Sequence, residues 1–228
     1  MTHDDHFAPN RAPVSAKAGD MVALSRVNTA QFSNIPQLQV SIEIDASAML
    51  EKINSWTEEH RPSFTTLLVH EVGQLLLSFP LMNATVVSDE NVRLHSQVHL
   101  AVAVDTPSGT AFPVLRNVTQ QPIMYLHDEL KRLTEKARHT GLDPEDTDGA
   151  TLTLMNLGKF GVAEARVSIT TPQITTLTIG AITYRLVMTG NRIVNVPFFR
   201  VNVACDARVV DATMPAKFLQ KLEDALEG

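Results

Sequence analysis

Along the chain, Leu38, Val40, Ile42 and Ile44 alternate with Gln39, Ser41, Glu43 and Asp45, the period-two pattern of a strand with one buried face. Helical spacing takes over behind a cap at Asp45 or Ser47, where Met49, Ile53 and Trp56 recur on one side. A second helix is predicted from near Ser63 through Leu68, Val72, Leu75, Leu76 and Phe79, with Pro80 as its stop. Short strands follow at Ala84 to Val87 and Val92 to His95, around the turn residues Ser88, Asp89 and Glu90. Val98, Leu100, Val102 and Val104 alternate again before a Thr106 to Gly109 turn and the run Ala111 to Leu115, and the whole stretch reads as a meander.

The cleanest helical pattern runs from Pro122 to Thr140. Ile123, Leu126, Leu130, Leu133 and Ala137 step by three and four, and Gly141 stands where a helix-ending glycine belongs. Its charged face, Asp128 to Lys136, reads as a solvated surface. Strand-like runs recur at Thr151 to Leu154, Ile174 to Ile179, Thr183 to Met188 and Phe198 to Cys205, with a Thr189 to Arg192 turn between two of them. An amphipathic helix through Phe218, Leu222 and Leu226 closes the chain. This order predicts an α/β or α+β fold with a large mixed sheet. Residues 1–21, with Pro9, Asn10, Pro13 and Gly19 and little periodicity, read as a flexible tail, and 22–228 as one domain.

Composition narrows the classes. With 228 residues and 44% hydrophobic content the chain can bury a sizeable core, which excludes disorder over most of its length. Lys+Arg number 19 against 25 Asp+Glu, so a net charge of −6 offers no basic footprint for nucleic acid or an anionic membrane. The single cysteine, Cys205, allows neither an intramolecular disulfide nor a thiolate cluster, which fits a reducing compartment. The apolar stretch Leu75 to Met82 is broken by Ser78 and Pro80, and Met1 to His6 is polar, so neither a span nor a signal is expected and the cytoplasm is the predicted location.

Familiar catalytic motifs are missing. Asn156 to Gly161 has two glycines without phosphate-loop or dinucleotide spacing and reads as a turn, and no Gly-x-Ser-x-Gly elbow occurs. Eight histidines are scattered, and His95 and His99, four apart, straddle an expected strand break, so no metal site is predicted. His70, beside Glu71, reads as a polar rim position, and Cys205 as a small core residue.

The order of several segments adds what spacing does not. Phe79-Pro80-Leu81-Met82-Asn83-Ala84, then Val98 to Gly109 with Asp105-Thr106-Pro107, and Pro113-Val114-Leu115-Arg116-Asn117 resemble the catalytic core of the dihydrolipoamide acyltransferases of 2-oxoacid dehydrogenase complexes. So do Thr151 to Gly158 with Phe160-Gly161, Thr171-Pro172-Gln173, and Cys205-Asp206-Ala207-Arg208-Val209-Val210-Asp211. The resemblance covers residue 22 to the C-terminus. It implies a chloramphenicol-acetyltransferase-like mixed sheet flanked by helices, a trimer, and an active site in a channel between subunits. It also implies acyl transfer between coenzyme A and a dihydrolipoyl thiol. A histidine in Asp-His-Arg-x-x-Asp-Gly deprotonates the thiol, and a Ser or Thr hydroxyl just before the Asn-Leu-Gly turn donates to the oxyanion.

By that resemblance the histidine position is Ala207, the hydroxyl position Met155, and the glycine after Asp211 is Ala212. Asp211 matches the family's second carboxylate, but with no histidine to assist it is expected to cap the last helix; Asp206 and Arg208 are expected to form a buried ion pair, and Asn156 to keep the turn after Met155. No lipoyl domain or Asp-Lys-Ala motif precedes the core, so the chain is not expected to carry its own acyl arm. The leading expectation is a silent homologue acting as a trimeric or larger scaffold, or as partner of a full-length acyltransferase or a biosynthetic enzyme. The dehydrogenase-binding component of mammalian pyruvate dehydrogenase complexes is similar to the acyltransferase and lacks the same histidine. A second reading is a repurposed enzyme or a binder of small molecules, and a third is residual acyl transfer. No resident cofactor or metal is required, and coenzyme A or an acyl thioester is the ligand the channel would admit.

Overall fold

The computed structural model describes residues 35–88 and 90–227. The tail assigned to 1–21, and all but the end of the segment Leu24 to Pro36, expected to be shorter than the family's first helix, lie outside them. The alternating run becomes β1 (Gln37–Asp45), and Asp45 then accepts the Ser47 amide at 2.7 Å as α1 (Ser47–Asn54) begins. Ser63 caps α2 (Phe64–Leu76) by accepting the Thr66 amide at 3.0 Å. That helix ends three residues before Phe79. Its last turn tightens into three-residue hydrogen bonds, with Ser78 N–H donating to Leu75 and Phe79 N–H to Leu76, because Pro80 excludes Phe79 from helical backbone.

The expected meander is split instead. β2 (Ala84–Ser88) and β3 (Asn91–Leu94) form a separate hairpin, and the run of alternating valines breaks at Ala103 into β4 (Leu100–Val102) and β5 (Val104–Thr106). Among the described residues β5 pairs only with β6 (Gly109–Ala111), whereas β4 enters the main sheet beside β7 (Val114–Leu115). Strand β4 is buried on both faces, so its alternation reflected composition rather than exposure. Helix α3 (Ile123–His139) closes at Gly141, whose φ of 84° is open to glycine without strain.

β8 (Leu152–Asn156), β9 (Thr175–Ile179), β10 (Thr183–Thr189), β11 (Arg192–Asp206) and α4 (Thr213–Glu227) complete the chain. Among the described residues the main sheet has seven strands in the order β1-β11-β9-β8-β4-β7, with β10 also on β11. β8 runs parallel to β4 and β9, and the remaining pairs are antiparallel. One face presents Leu154, Leu177, Ile179, Val201, Val203 and Cys205 to a helical layer built from α1, α2 and α4. Phe64 meets Phe199 edge to face at 5.1 Å and Phe79 meets Phe218 at 5.4 Å, tying α2 to β11 and to α4.

The opposite face is polar yet buried. Thr153, Thr176, Thr178 and Asn202 lie under the coil that precedes β9, where Asn202 donates to the Ala165 carbonyl and Thr153 to Gln173 Oε1 at 2.7 Å. Coil brings unpaired backbone groups, so the threonine and asparagine side chains that satisfy them are what such a cover needs. Past the end of β1, β10 and the first half of β11 continue as a protruding two-stranded ribbon. No helix among the described residues is long and apolar enough to cross a membrane.

Candidate functional site

The loop after β11 is held from three sides. The Asp206 carboxylate is wholly buried and accepts from Arg208 Nη2 at 2.7 Å, Arg208 Nε at 3.0 Å and the Arg208 amide at 3.0 Å. Its own amide donates to Ile174, and the Ala207 amide donates to Pro36 at 2.8 Å. Ala207 therefore stands exposed between the two members of an ion pair that is buried only on the Asp206 side, since Arg208, expected to be buried with it, is exposed. Asp211 Oδ1 accepts the Thr213 hydroxyl at 2.5 Å and the amides of Thr213 and Met214, which holds its carboxyl below the usual range and caps α4. Ala212 is exposed beside it.

Met155 and Asn156 end β8 on another part of the sheet. Met155 is half-buried and in register with Thr178, whereas Asn156 faces the helices, donating to Thr65 Oγ1 at 2.9 Å and accepting the Gly158 amide at 3.0 Å. Gly180 fits here because a Cβ on it would strike the Ala163 carbonyl, and Gly158 abuts Gly180 in the same way. The register puts Ala207 about five residues along the sheet and two strands across from Met155, roughly 19 Å away. One copy of the chain thus gathers Asp206, Ala207, Arg208, Asp211 and Ala212, and leaves Met155 and Asn156 apart from them.

Other titratable groups are engaged elsewhere. Cys205 is buried against the Thr175 hydroxyl, and burial pushes its thiol up to about 12, so it is not a nucleophile at neutral pH. His95 bonds Thr85 at 3.0 Å, His99 accepts the Asn117 amide at 2.9 Å, and His70 lies 3.5 Å from Glu71. No group of three or more metal-ligating side chains occurs among the described residues. A concavity of about 390 Å³ opens beside the ion pair, lined by Val86, Ser88, Pro172, Gln173, Asp206 and Arg208. Sequence reasoning missed the buried Thr153–Gln173 bond under this site; the Thr-rich runs 151–153 and 175–178 were its only trace.

His99 supplies a pH dependence. Its Nδ1 accepts from Asn117, a residue held at φ 51°, and burial, then Arg116, then His95 keep its pKa below the ordinary 6.5. A folded-state value below the unfolded one means that this stability is complete above about pH 6.5 and is lost as pH falls below it. Unfolding midpoints in denaturant should therefore drop between pH 7.5 and 5.5. The drop should shrink in His99→Asn, although His95, also depressed by burial, retains part of it. An unchanged slope in His99→Asn would count against this source.

The layered mixed sheet with a helical face is that of chloramphenicol acetyltransferase, whose structure aligns with a TM-score of 0.55 at 14% identity over 95% of this chain and 99% of that one. Within that class, the chain belongs to the 2-oxoacid dehydrogenases acyltransferase (catalytic domain) family, whose model matches residues 22–228. It is 30% identical over 200 residues to the dihydrolipoyllysine-residue acetyltransferase component of the pyruvate dehydrogenase complex of Rickettsia felis, covering 85% of this chain and 48% of that one. The chain thus spans about half the length of that relative. The Azotobacter vinelandii dihydrolipoamide acetyltransferase, solved to probe a serine, a histidine and an asparagine in its catalytic mechanism, aligns at TM-score 0.83 and 23% identity over 96% of this chain and 97% of that one. The cubic core of a pyruvate dehydrogenase multienzyme complex aligns equally well, at 0.83 and 23% over 99% and 94%. Solved relatives of this fold therefore build the oligomeric core of a multienzyme complex.

Proposed function

We propose that this chain is a catalytically silent form of the acyltransferase core, acting as a trimeric scaffold or as partner subunit of an active acyltransferase or a biosynthetic enzyme in the cytoplasm. The observation that carries the reading is Ala207, a methyl group placed between the paired Asp206 and Arg208 where the family motif puts its histidine. A thiol attacks a thioester well at neutral pH only when a base takes its proton, and Ala207 has no acceptor. Met155, at the position of the oxyanion hydroxyl, offers a thioether with no donor hydrogen. The Azotobacter vinelandii protein, in which a serine and a histidine were probed for their part in catalysis, supports reading both positions as the reacting ones.

The same geometry supports assembly. Groups about 19 Å apart cannot act on one thioester, so Met155 and Ala207 belong to one site only if two copies supply them. The concavity beside the ion pair favours a second reading, in which coenzyme A or an acyl thioester still binds with no resident cofactor. Thiol release from acetyl-coenzyme A with dihydrolipoamide tests the silent reading. A rate at least about a hundredfold below that of an active relative at equal concentration is expected, and a rate within tenfold would refute it.

A further inference from the structure

We infer that this chain inhibits a reactive acyltransferase of its own family by entering that protein's assembly, where each copy disables both of the acyl-transfer sites it borders. The inference deepens the partner-subunit reading above and rests on it. Ala207 and Met155 lie roughly 19 Å apart in one copy, so each copy offers two separate half-sites. Both halves lack their reacting group, because Ala207 has no proton acceptor and Met155 no donor hydrogen. A silent copy therefore sets Met155 opposite the base of one reactive neighbour, and Ala207 opposite the oxyanion donor of the other. Neither encounter makes a working pair.

The frames around the missing groups are nonetheless intact. Asp206, 0% exposed, accepts from Arg208 on both carboxylate oxygens, and the Ala207 amide donates to Pro36, so the loop still presents position 207 outward. At the other half-site Asn156 donates to Thr65 Oγ1 at 2.9 Å and accepts the Gly158 amide at 3.0 Å, and the Leu157 amide donates to Ile179, which fixes the turn behind Met155. Only the reacting side chains have gone, so a single replacement in either frame should restore that half-site.

The replacements also leave nothing to repel a neighbour. Both are uncharged. Ala207 is smaller than a histidine, and the half-buried Met155, larger than a hydroxyl residue, is unbranched and adapts to an irregular gap. The partner this fits is a chain of the same fold that carries a base where Ala207 stands and a hydroxyl where Met155 stands, because only such a chain holds both complements on a matching backbone. In a closed ring of three, one silent copy leaves about one working site in three, and two leave none. Activity then follows about the square of the reactive fraction, which is steeper than dilution.

Co-expression of the full chain with the Rickettsia felis acetyltransferase component, each under its own affinity tag, tests this. Assemblies recovered through either tag should hold both chains. At equal composition they should transfer acetyl groups at about a quarter of the rate of the all-reactive assembly, where dilution alone would leave about half. Ala207→His or Met155→Ser in this chain should then each raise the mixed rate about twofold, because the reactive neighbour supplies the other half of one restored site. The two replacements stand in separate frames, so one that misfolds leaves the other as the test, and a chain that only disturbs assembly responds to neither. Mixed assemblies whose rate follows dilution, or in which neither folded replacement raises it, overturn the inference. Chains that assemble only with their own kind overturn it too, and leave the silent reading standing on this chain's own background rate. Acetyl transfer by this chain alone within about tenfold of the relative overturns both.

Discussion

Ala207→His alone is expected to leave acetyl transfer from acetyl-coenzyme A to dihydrolipoamide near the native background, whereas Ala207→His with Met155→Ser should raise it at least about a hundredfold. In the reaction the thiol sulfur bonds the acyl carbon as its proton passes to a base, and the coenzyme A thiolate leaves as the intermediate collapses. A general base contributes roughly 10²–10⁴ and an oxyanion donor roughly 10²–10³, but the two serve one step and do not simply multiply. In the proposed site, with Met155 in place, the developing O⁻ meets a thioether, so the restored base has no partner. Mixing separately made Ala207→His and Met155→Ser chains should recover part of the double-variant rate if, as proposed, the two positions meet between copies. A single variant that matches the double would show that Met155 is not the donor position.

How much of this was legible in the sequence depends on how local the signal is. β1 and α3 were readable because their periodicity and their end signals, down to Gly141 at φ 84°, reside in adjacent residues. The end of α2 was not, because Pro80 acts on Phe79 and the apolar spacing of Leu76 and Phe79 survives into the tightened turn. Alternation says nothing of the cover over Thr153, Thr176 and Thr178, polar positions that are buried because a coil distant in sequence lies on them. The same limit applies to the site. Asp206 and Arg208 are two residues apart and could be paired on paper, but the separation of Met155 from Ala207 needs the strand order. The run Tyr184, Leu186, Met188 predicted a strand; only the topology shows that β1, the strand on the other side of its partner β11, ends at Phe198 where this pairing begins.

Replacing Arg208 is expected to be the most costly single change in the loop. Arg208→Ala leaves the Asp206 carboxylate, 0% exposed, without the guanidinium that supplies three of its four hydrogen bonds described here. Breaking a buried pair in this way costs about 3–5 kcal/mol, and the lower figure applies because the Arg208 side chain is 33% exposed. For a chain of this size, about 3 kcal/mol corresponds to a fall of roughly 6–12 °C in the thermal midpoint. Arg208→Lys should recover only part of it, since an ammonium cannot grip both carboxylate oxygens side by side. The deciding variant is Asp206→Leu with Arg208→Met, which removes both charges and fills the space, and it should be more stable than Arg208→Ala. If the double variant is the less stable of the two, the pair itself, rather than the stranded carboxylate, holds the loop that carries Ala207.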